Sequence, residues 1–264
     1  MALAYAQSKR RFVEAGSPIL WGGEEVTSSW RLEISGKNMA GTKKPLRILG
    51  LADLHDRIEK LDKVREIDAD LIVFCGDLHN AGNRETARHT AYALACLGPP
   101  VLIVPGNMDH RDFVPDLWEA AGLLMLHRSS FCLEDVGFLG MGGMVARDPR
   151  RREDPARYYY HDIEVYETLA VGYQDISNAR IKIVVVHQPP LGAQDTLYNG
   201  ESSGSVSLRR FVEEYQPDLL LCGHIHEARG ECFIGSTRIV NVGELRQGFA
   251  ALIEIGEEIT VNWI

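Results

Sequence analysis

The chain has 264 residues, of which 45% are hydrophobic and 25% charged, a composition that is typical of a globular domain and excludes disordered, collagen-like and coiled-coil chains. Its 28 Lys and Arg against 37 Asp and Glu give a formal net charge of −9, which disfavours binding to double-stranded nucleic acid. No apolar run is long enough to span a membrane, and charged residues stand where a signal peptide needs its apolar segment, so we expect a cytoplasmic protein without membrane attachment.

Residues 1–44 show no sustained hydrophobic periodicity and end in the polar run SGKNMAGTKK. We interpret this segment as an N-terminal extension, followed by a single domain over 45–264. Met39 lies just ahead of the first clear strand. We therefore hypothesise that translation begins at Met39 and that residues 1–38 lie upstream of the native protein, which an intact mass beginning at Met1 would refute.

A regular α/β pattern begins at residue 45. The runs LRILGLADLH, DLIVFCGD and VLIVPGNMD are predicted strands, and the amphipathic segments 57–67 and 84–97 between them are predicted helices. A third helix is predicted over 111–121, with Asp109 or a neighbouring polar residue at its start. The segment FCLEDVGFLGMGG then has the pattern of a β-hairpin. This order predicts a βαβαβ unit within a mixed sheet.

The second half of the chain continues with strands and one helix. KIVVVHQPP and DLLLCGHIH are predicted strands, separated by a helix near 205–215 that begins at Ser205 or Ser207. Further strand-like runs lie in VNVGEL, FAALIEI and ITVNWI. Between the two halves, residues 145–179 are rich in Arg, Tyr and acidic residues and interrupt the pattern, so we interpret them as an inserted, lid-like segment.

Several predicted strands end in the same way, with Asp, His or Asn in a short turn that contains Gly or Pro. These endings are ADLHD, CGDLHN, PGNMDH, VVHQPP and CGHIHE. Because the carboxyl ends of parallel strands gather at one edge of a sheet, side chains placed just past them converge. The converging residues are Asp53, His55, Asp77, Asn107, His187, His224 and His226. We expect these side chains to line one pocket.

The donors of this pocket are carboxylate and amide oxygens and imidazole nitrogens, a set that suits Mn, Fe or Zn. It contains no thiolate, and the five cysteines lack C-x-x-C spacing, so we expect free thiols, with Cys75 and Cys222 buried. Seven donors are too many for one tetrahedral zinc ion but fit two ions that share a carboxylate. The sequence therefore predicts a centre of two divalent metal ions, with manganese expected and iron or zinc as alternatives.

In order and spacing, the motifs D-x-H, G-D, G-N-x-D, H-x-P and G-H-x-H resemble those of the calcineurin-like metallophosphoesterases over about residues 45–245. The resemblance implies an α/β fold in which two mixed β-sheets pack as a sandwich flanked by helices. It also assigns ligands to each ion. One ion would be bound by Asp53, His55 and His226, and the other by Asn107, His187 and His224. Asp77 would bridge the two ions.

The mechanism that this resemblance implies is hydrolysis of a phosphate ester by a hydroxide held between the two ions, which attacks phosphorus in line. Asn107 would help neutralise the non-bridging oxygens, and Asp109 would orient its neighbours. The residues predicted to take part in catalysis are Asp77, Asn107, Asp109 and His224. The residues predicted to contact the substrate are Asn107, Arg147, Arg150 and Arg157. Tyr158, Tyr159 and Tyr160 could stack on a base, although packing on the body of the domain is favoured.

The third motif departs from the family pattern. It reads G-N-M-D, whereas the family often has G-N-H-D or G-N-H-E, and the histidine is credited with protonating or stabilising the leaving group. The thioether of Met108 cannot donate a proton. Because general acid catalysis contributes about 10²–10⁴-fold, we expect slow turnover of simple alkyl phosphates. His79 and His110 are candidate substitutes, although each is better explained as a surface or supporting residue.

These observations favour an enzyme that hydrolyses phosphodiesters or activated phosphate esters. Its partner is then a small phosphorylated substrate, with a nucleotide-like molecule as one option. A scaffold of the same fold, which keeps its metal ions but acts through protein contacts with little or no turnover, stays open because of Met108. A redox-active di-iron protein of the purple phosphatase kind is disfavoured, since no Tyr replaces a ligand within the matched motifs.

Overall fold

The computed structural model describes residues 10–14, 19–21, 24–26, 29–34, 44–80 and 82–264. The hypothetical start at Met39 lies outside these residues. The strands described within the predicted extension are β1 (Arg10–Glu14), β2 (Ile19–Trp21), β3 (Glu24–Val26) and β4 (Ser29–Ile34). Strand β4 pairs in parallel with β9 (Ser129–Leu133), so part of the predicted extension adds a strand beside the domain.

Six strands form the first large sheet, in the order β18-β17-β5-β6-β7-β8. Their bounds are β5 (Leu46–Leu51), β6 (Leu71–Phe74), β7 (Val101–Ile103), β8 (Leu124–Met125), β17 (Ala251–Ile255) and β18 (Ile259–Trp263). Strands β5 to β8 are parallel, and β17 is antiparallel to both β5 and β18. The carboxyl ends of β5, β6 and β7 therefore lie at the same edge.

Five strands form the second large sheet, in the order β10-β13-β14-β16-β15. Their bounds are β10 (Val136–Met141), β13 (Ile181–Val186), β14 (Leu219–Cys222), β15 (Gly230–Ile234) and β16 (Thr237–Asn241). The first four in this order are parallel, and β15 is antiparallel to β16. Two residues join β9 to β10, and Glu134 turns the chain there with φ of 53°. A short parallel pair, β11 (Met144–Val145) and β12 (Tyr159–Tyr160), follows.

Helices cover the outer face of each large sheet. The bounds are α1 (Arg84–Ala95) and α2 (Val114–Ala121) on the six-stranded sheet, the short α3 (Pro149–Arg152), and α4 (Asp162–Gly172) and α5 (Val206–Tyr215) on the five-stranded sheet. The core between the sheets includes the fully buried Ile48, Val73, Phe138, Val185 and Leu221. Burial of each such side chain contributes about 1.5–3 kcal/mol. This four-layer arrangement confirms the predicted fold class.

Most predicted helices are present with shifted ends. The helices predicted over 84–97 and 205–215 correspond to α1 and α5, and the Ser205 hydroxyl caps α5 by accepting a backbone N–H bond. The helix predicted over 111–121 begins only at Val114.

The helix predicted over 57–67 is instead a 3-10 helix at Ile58–Lys63 followed by turns. Asp56 stands where a helix cap would be expected. Its carboxylate, however, accepts hydrogen bonds from the Asn80 backbone N–H at 2.9 Å and the Thr90 hydroxyl at 3.2 Å. These tertiary contacts occupy a group that could otherwise cap a helix, and the 3-10 helix that forms has no side-chain cap.

Residues 145–179 differ from the predicted lid-like insertion. Helix α4 lies within this segment and connects β10 to its parallel neighbour β13, so it is the crossover that a parallel pair requires. Tyr158 and Tyr160 are only 3% and 4% exposed and belong to the hydrophobic cluster around α4 and α5. Much of the segment is therefore part of the packed fold, and these two tyrosines are unavailable for stacking on a substrate.

No helix in the described part of the chain is long and apolar enough to cross a lipid bilayer. All five cysteines are free, and Cys75 and Cys222 are buried, as the sequence predicts. Burial raises the pKa of both thiols, so they remain protonated at neutral pH and are poor nucleophiles.

Candidate metal centre

Hydrogen bonds connect the loops that follow the strands of the two large sheets. The Asp53 N–H donates to the Gly76 carbonyl at 3.0 Å, and the His55 N–H donates to the Asp77 carbonyl at 3.2 Å. From the other sheet, the His224 N–H donates to the Asp53 carboxylate at 2.9 Å. The loops of both sheets therefore form one connected rim at the carboxyl ends of the strands.

Four of the predicted ligands on this rim have backbone conformations that L side chains rarely adopt. The φ angle is 56° at Asp53, 50° at His55, 56° at Asp77 and 67° at His224. A non-glycine residue in the left-handed region carries about 1–3 kcal/mol of strain, and such residues concentrate at functional sites. The hydrogen bonds between the loops hold these conformations in place.

The first cluster of ligand atoms contains Asp53, His55 and His226, which offer atoms within 4.8 Å of one another. Asp53 Oδ1 is 3.3 Å from His226 Nε2 and 3.8 Å from His55 Nε2. Asp53 is only 1% exposed, and its Oδ1 accepts no hydrogen bond from the described residues. A buried carboxylate oxygen therefore faces two imidazole nitrogens.

The second cluster contains Asp77, His187 and His224, again with ligand atoms within 4.8 Å of one another. Asn107 joins it, since its Oδ1 is 3.1 Å from His187 Nε2. Asp77 Oδ2 is 3.4 Å from His187 Nε2 and 3.9 Å from Nε2 of His55 in the first cluster. The Asp77 carboxylate thus lies between the two clusters, and the seven side chains predicted as ligands lie together.

The donor atoms of both clusters suit divalent cations. His55 Nδ1 is 2.9 Å from Asn80 Oδ1, and His187 Nδ1 is 2.7 Å from the Cys75 carbonyl oxygen. An imidazole that donates through Nδ1 presents the lone pair of Nε2 to a metal ion. Without a cation, these lone pairs would face carboxylate oxygens, and Asp53 Oδ1 would stay buried without a donor. A cation in each cluster removes both conflicts, so the residues present fit two metal ions.

Burial and neighbouring charges separate the pKa values of the second cluster. Burial opposes ionisation of Asp77, but the charge and hydrogen bond of His187 lower the pKa of Asp77 to about 2. Burial disfavours the charged form of His187, but Asp77 raises the pKa of His187 to about 9. Burial and the charge of His187 lower the pKa of His224 to about 4. In the metal-free protein, a proton on His187 therefore takes the place of a cation beside Asp77.

We expect metal binding to release this proton and to depend on pH. Because a metal ligand must be a neutral imidazole, the apparent affinity should fall by up to about tenfold for each pH unit below 9. Isothermal titration of the metal-free protein with Mn²⁺ between pH 6.5 and 8.5, in buffers with different heats of protonation, measures the protons released. Affinity that is constant over this range, with no proton release, would contradict the expectation.

Two residues that the sequence analysis missed, Asn241 and Glu244, position His226 of the first cluster. Asn241 is fully buried, and its side-chain amide donates to the carbonyls of Gly223 at 3.3 Å and Ile225 at 2.9 Å, which fixes the loop that carries His226. Glu244 is 1% exposed, with Oε2 3.5 Å from His226 Nδ1. Asn241 ends β16 and Glu244 follows it. The rule that polar residues at strand ends converge would therefore have identified both.

Replacing Glu244 with glutamine is expected to weaken metal binding by about 10–100-fold, the usual effect of losing the carboxylate that orients a ligating imidazole. Competition with a fluorescent chelator measures the affinity. Glu254→Gln is the matched control, because Glu254 pairs with Arg47 away from the site. Equal affinity of the Glu244 variant and the control would show that His226 does not depend on Glu244.

Asp109 lies beneath the rim and is fully buried. Its carboxylate accepts backbone N–H bonds from Gly106 at 2.7 Å, Asp77 at 3.0 Å and His79 at 3.0 Å. Burial raises the pKa of Asp109 to about 6, against the charge of His79. The geometry suits the orienting role predicted for Asp109. It does not begin α2, whose first turn receives no side-chain cap from Phe113.

The three arginines predicted to contact the substrate lie in different surroundings. Arg157 Nη1 donates to the Met108 carbonyl at 2.7 Å, so it touches a loop of the candidate centre. Arg147 Nη2 is 3.4 Å from the Ser202 carbonyl. Arg150 lies on the exposed helix α3. Of the three, Arg157 has the contact best placed for a role at the centre.

The two histidines considered as substitutes for the family's acid both make local contacts. His79 is 2% exposed, and its Nε2 accepts a hydrogen bond from the Trp118 indole N–H at 3.1 Å. The His110 ring stacks on Phe113, with ring centroids 4.4 Å apart, and its Nδ1 is 3.3 Å from the Asp112 N–H. Both side chains therefore serve local structure.

Sequence comparisons place these motifs among known proteins. A profile of calcineurin-like phosphoesterases matches residues 46–228. An uncharacterised protein of Methanocaldococcus jannaschii is 27% identical over 208 residues, which cover 75% of this chain and 88% of that protein. A UPF0046 protein of Caenorhabditis elegans is 25% identical over 218 residues, which cover 77% of this chain and 71% of that protein.

Solved structures share the fold. A protein of Thermus thermophilus superposes with a TM-score of 0.64 at 18% identity, covering 83% of this chain and 98% of that one. A dimetal phosphatase from Danio rerio gives a TM-score of 0.55 at 10% identity, covering 84% of this chain and 96% of that one. These likenesses concern the fold alone. The profile match confirms the resemblance found in the motifs, and the chain belongs to the calcineurin-like phosphoesterase family.

Proposed function

We propose that this chain hydrolyses phosphodiesters or activated phosphate esters at a centre of two divalent metal ions. One observation carries the proposal: Asp77 Oδ2 lies between the two clusters, 3.4 Å from His187 Nε2 and 3.9 Å from His55 Nε2. A shared carboxylate is what a two-metal centre needs to hold its ions about 3.5–4 Å apart. When bound, such ions act as Lewis acids on the phosphoryl group and lower the pKa of water.

The protein's own side chains orient this chemistry. Asp77 uses Oδ1 to accept the Met108 N–H at 2.6 Å, which leaves Oδ2 for the clusters and fixes the neighbouring Asn107. Asn107 turns Oδ1 toward His187 and keeps its amide N–H groups for a non-bridging oxygen of the ester. The low pKa of His224 keeps this imidazole neutral at physiological pH, as a ligand must be.

The substrate preference follows from the residue after Asn107. Met108 supplies no proton, His79 is bound to the Trp118 indole, and the His110 ring stacks on Phe113. Esters whose leaving groups depart without protonation should therefore react faster than simple alkyl phosphates. We propose manganese as the preferred ion because oxygen and imidazole donors suit it, and a small, nucleotide-like phosphate ester as one candidate substrate.

Turnover of bis(p-nitrophenyl) phosphate and p-nitrophenyl phosphate tests this function. The metal-free protein is reconstituted with Mn²⁺, Fe²⁺ or Zn²⁺, beside His224→Ala and a control, His89→Ala, whose side chain is exposed on α1. We expect the wild type and the control to hydrolyse the diester and His224→Ala to show background rates. Equal background rates for all proteins with every metal would favour the scaffold alternative. A large preference for the monoester would overturn the inference from Met108.

A further inference from the structure

The peptide groups on either side of Met108 are held from two directions. The Met108 N–H donates to Asp77 Oδ1 at 2.6 Å, and the Met108 carbonyl accepts from Arg157 Nη1 at 2.7 Å. Asp77 is the carboxylate between the two candidate metal clusters. A guanidinium is therefore fixed beside the loop position at which other family members carry the histidine that assists the leaving group.

The segment around Arg157 is docked against the body of the domain. The Arg157 N–H donates to the Asp154 carbonyl at 3.3 Å, which closes a turn, and the Arg111 N–H donates to the Ala156 carbonyl at 2.9 Å. The next residue, Tyr158, is 3% exposed and packs in the core. Arg157 thus extends from an anchored turn, although the side chain itself is half-buried and still reaches solvent.

The guanidinium of Arg157 has donors to spare. It carries five N–H bonds, and the one described side-chain contact, to the Met108 carbonyl, uses a single donor atom. No carboxylate among residues 44–80 and 82–264 forms an ion pair with it, so its positive charge is not neutralised by a described neighbour. A permanent cation with free donors beside a two-metal centre suits an oxygen that becomes negative during reaction.

We propose that Arg157 stabilises the leaving oxygen of the phosphate ester. Its positive charge would assist the leaving group in place of the histidine that is absent at position 108, without donating a proton. This assignment rests on the proposed phosphoesterase function. In the reaction, a bond forms between water oxygen and phosphorus, and the bond between phosphorus and the leaving oxygen breaks. The electron pair of the broken bond goes to the leaving oxygen, which departs as an anion hydrogen-bonded to Arg157. The attacking water loses its proton to solvent, the departed anion takes a proton from solvent, and Arg157 keeps its own protons throughout.

This role has a consequence that a purely structural arginine would not share. An arginine contributes most where the departing oxygen carries the most negative charge, which is with the least acidic leaving alcohols. The contribution should shrink toward none with leaving groups as acidic as p-nitrophenol. The test uses a series of methyl aryl phosphodiesters whose leaving phenols differ in acidity. The slope of the logarithm of the rate against the pKa of the leaving phenol then reports on Arg157.

The experiment compares the manganese-loaded wild type with Arg157→Ala and Arg157→Lys over this series. We expect Arg157→Ala to lose less than about threefold with the most acidic phenol and about 10²–10³-fold with the least acidic one, the loss typical of a donor to a developing oxyanion. The slope for Arg157→Lys should lie between those for Arg157→Ala and the wild type. Added guanidinium chloride should partly rescue Arg157→Ala, and Met108→His placed in the Arg157→Ala background should restore rates with the poorest leaving groups.

Arg152→Ala is the matched control, because Arg152 is also half-buried in the same segment and also donates to a backbone carbonyl, that of Ala146 at 3.1 Å. Its slope should equal that of the wild type. A uniform loss over the whole series in Arg157→Ala, or a loss explained by lower metal content or melting temperature, would overturn the assignment while leaving the phosphoesterase function in place. Absence of turnover by the wild type with every metal would overturn both.

Discussion

Replacing Asp77 with alanine is expected to abolish turnover and to prevent the protein from holding two metal ions together. The Asp77 carboxylate lies between the clusters, and it also fixes the Met108 N–H beside Asn107. Loss of a partner that only orients a ligand lowers metal affinity or activity by about 10–100-fold, so loss of the shared ligand should exceed that range. Metal content by mass spectrometry and diester turnover measure the two effects.

Two further variants test the same role of Asp77. Asp77→Asn keeps the shape of the side chain and its oxygen for the Met108 N–H, so it should fold like the wild type but bind metal weakly. Asp62→Ala removes an exposed carboxylate that pairs with Arg65 and should leave both readouts unchanged. If Asp77→Ala retained two ions for each chain and the wild-type rate, the bridging role would be refuted, and the proposed function with it.

Replacing Gly106 with alanine is expected to damage the centre almost as severely, without removing any ligand. A Cβ atom at Gly106 would lie 2.0 Å from Asp77 Oδ1 and 2.3 Å from the Asp77 backbone nitrogen, which is closer than any real contact. The loop after β7 or the Asp77 side chain must move, and the Gly106 N–H bond to Asp109 moves with it. We expect a loss of about 1–3 kcal/mol in the free energy of unfolding, as for overpacking, together with loss of turnover.

Denaturant unfolding and metal titration separate these two effects. The control is Gly256→Ala, where an added Cβ would meet only ordinary contacts, 3.7 Å from Pro45. Asp109→Asn provides a second comparison, since it weakens the same loop connection without filling space. Unchanged metal affinity in a folded Gly106→Ala protein would show that the close approach of Gly106 to Asp77 is not required by the centre.

The strand endings were predictable because they repeat one simple rule. Buried parallel strands read as continuous apolar runs, and Asp53, His187 and the residues like them follow directly after those runs. Side chains at the carboxyl ends of neighbouring strands must lie close together whatever the loops do in detail. For this reason the grouping of the seven side chains could be anticipated from a single sequence, whereas the four-layer fold was implied by the resemblance of the motifs to a known family.

The features that sequence analysis missed depend on contacts between distant segments. The Asp56 carboxylate accepts hydrogen bonds from Asn80 and Thr90 and caps no helix, and no local pattern shows this. Asp109 looks like a helix cap, yet it is drawn beneath the rim by three backbone N–H groups. The composition of residues 145–179 likewise led to the interpretation of an inserted segment, although the favoured packing of Tyr158 and Tyr160 on the body of the domain is confirmed by their burial.

The left-handed backbone at Asp53, His55, Asp77 and His224 bears on how such a protein evolves. Glycine would remove the backbone strain at each of these positions. In a lineage that needs no metal ions, we therefore expect mutations that replace the ligands and increase thermal stability to accumulate. In this chain all four positions carry a side chain that can bind a cation. Because metal ions would bind the folded state at these side chains and not the unfolded chain, the melting temperature should rise on saturation with metal.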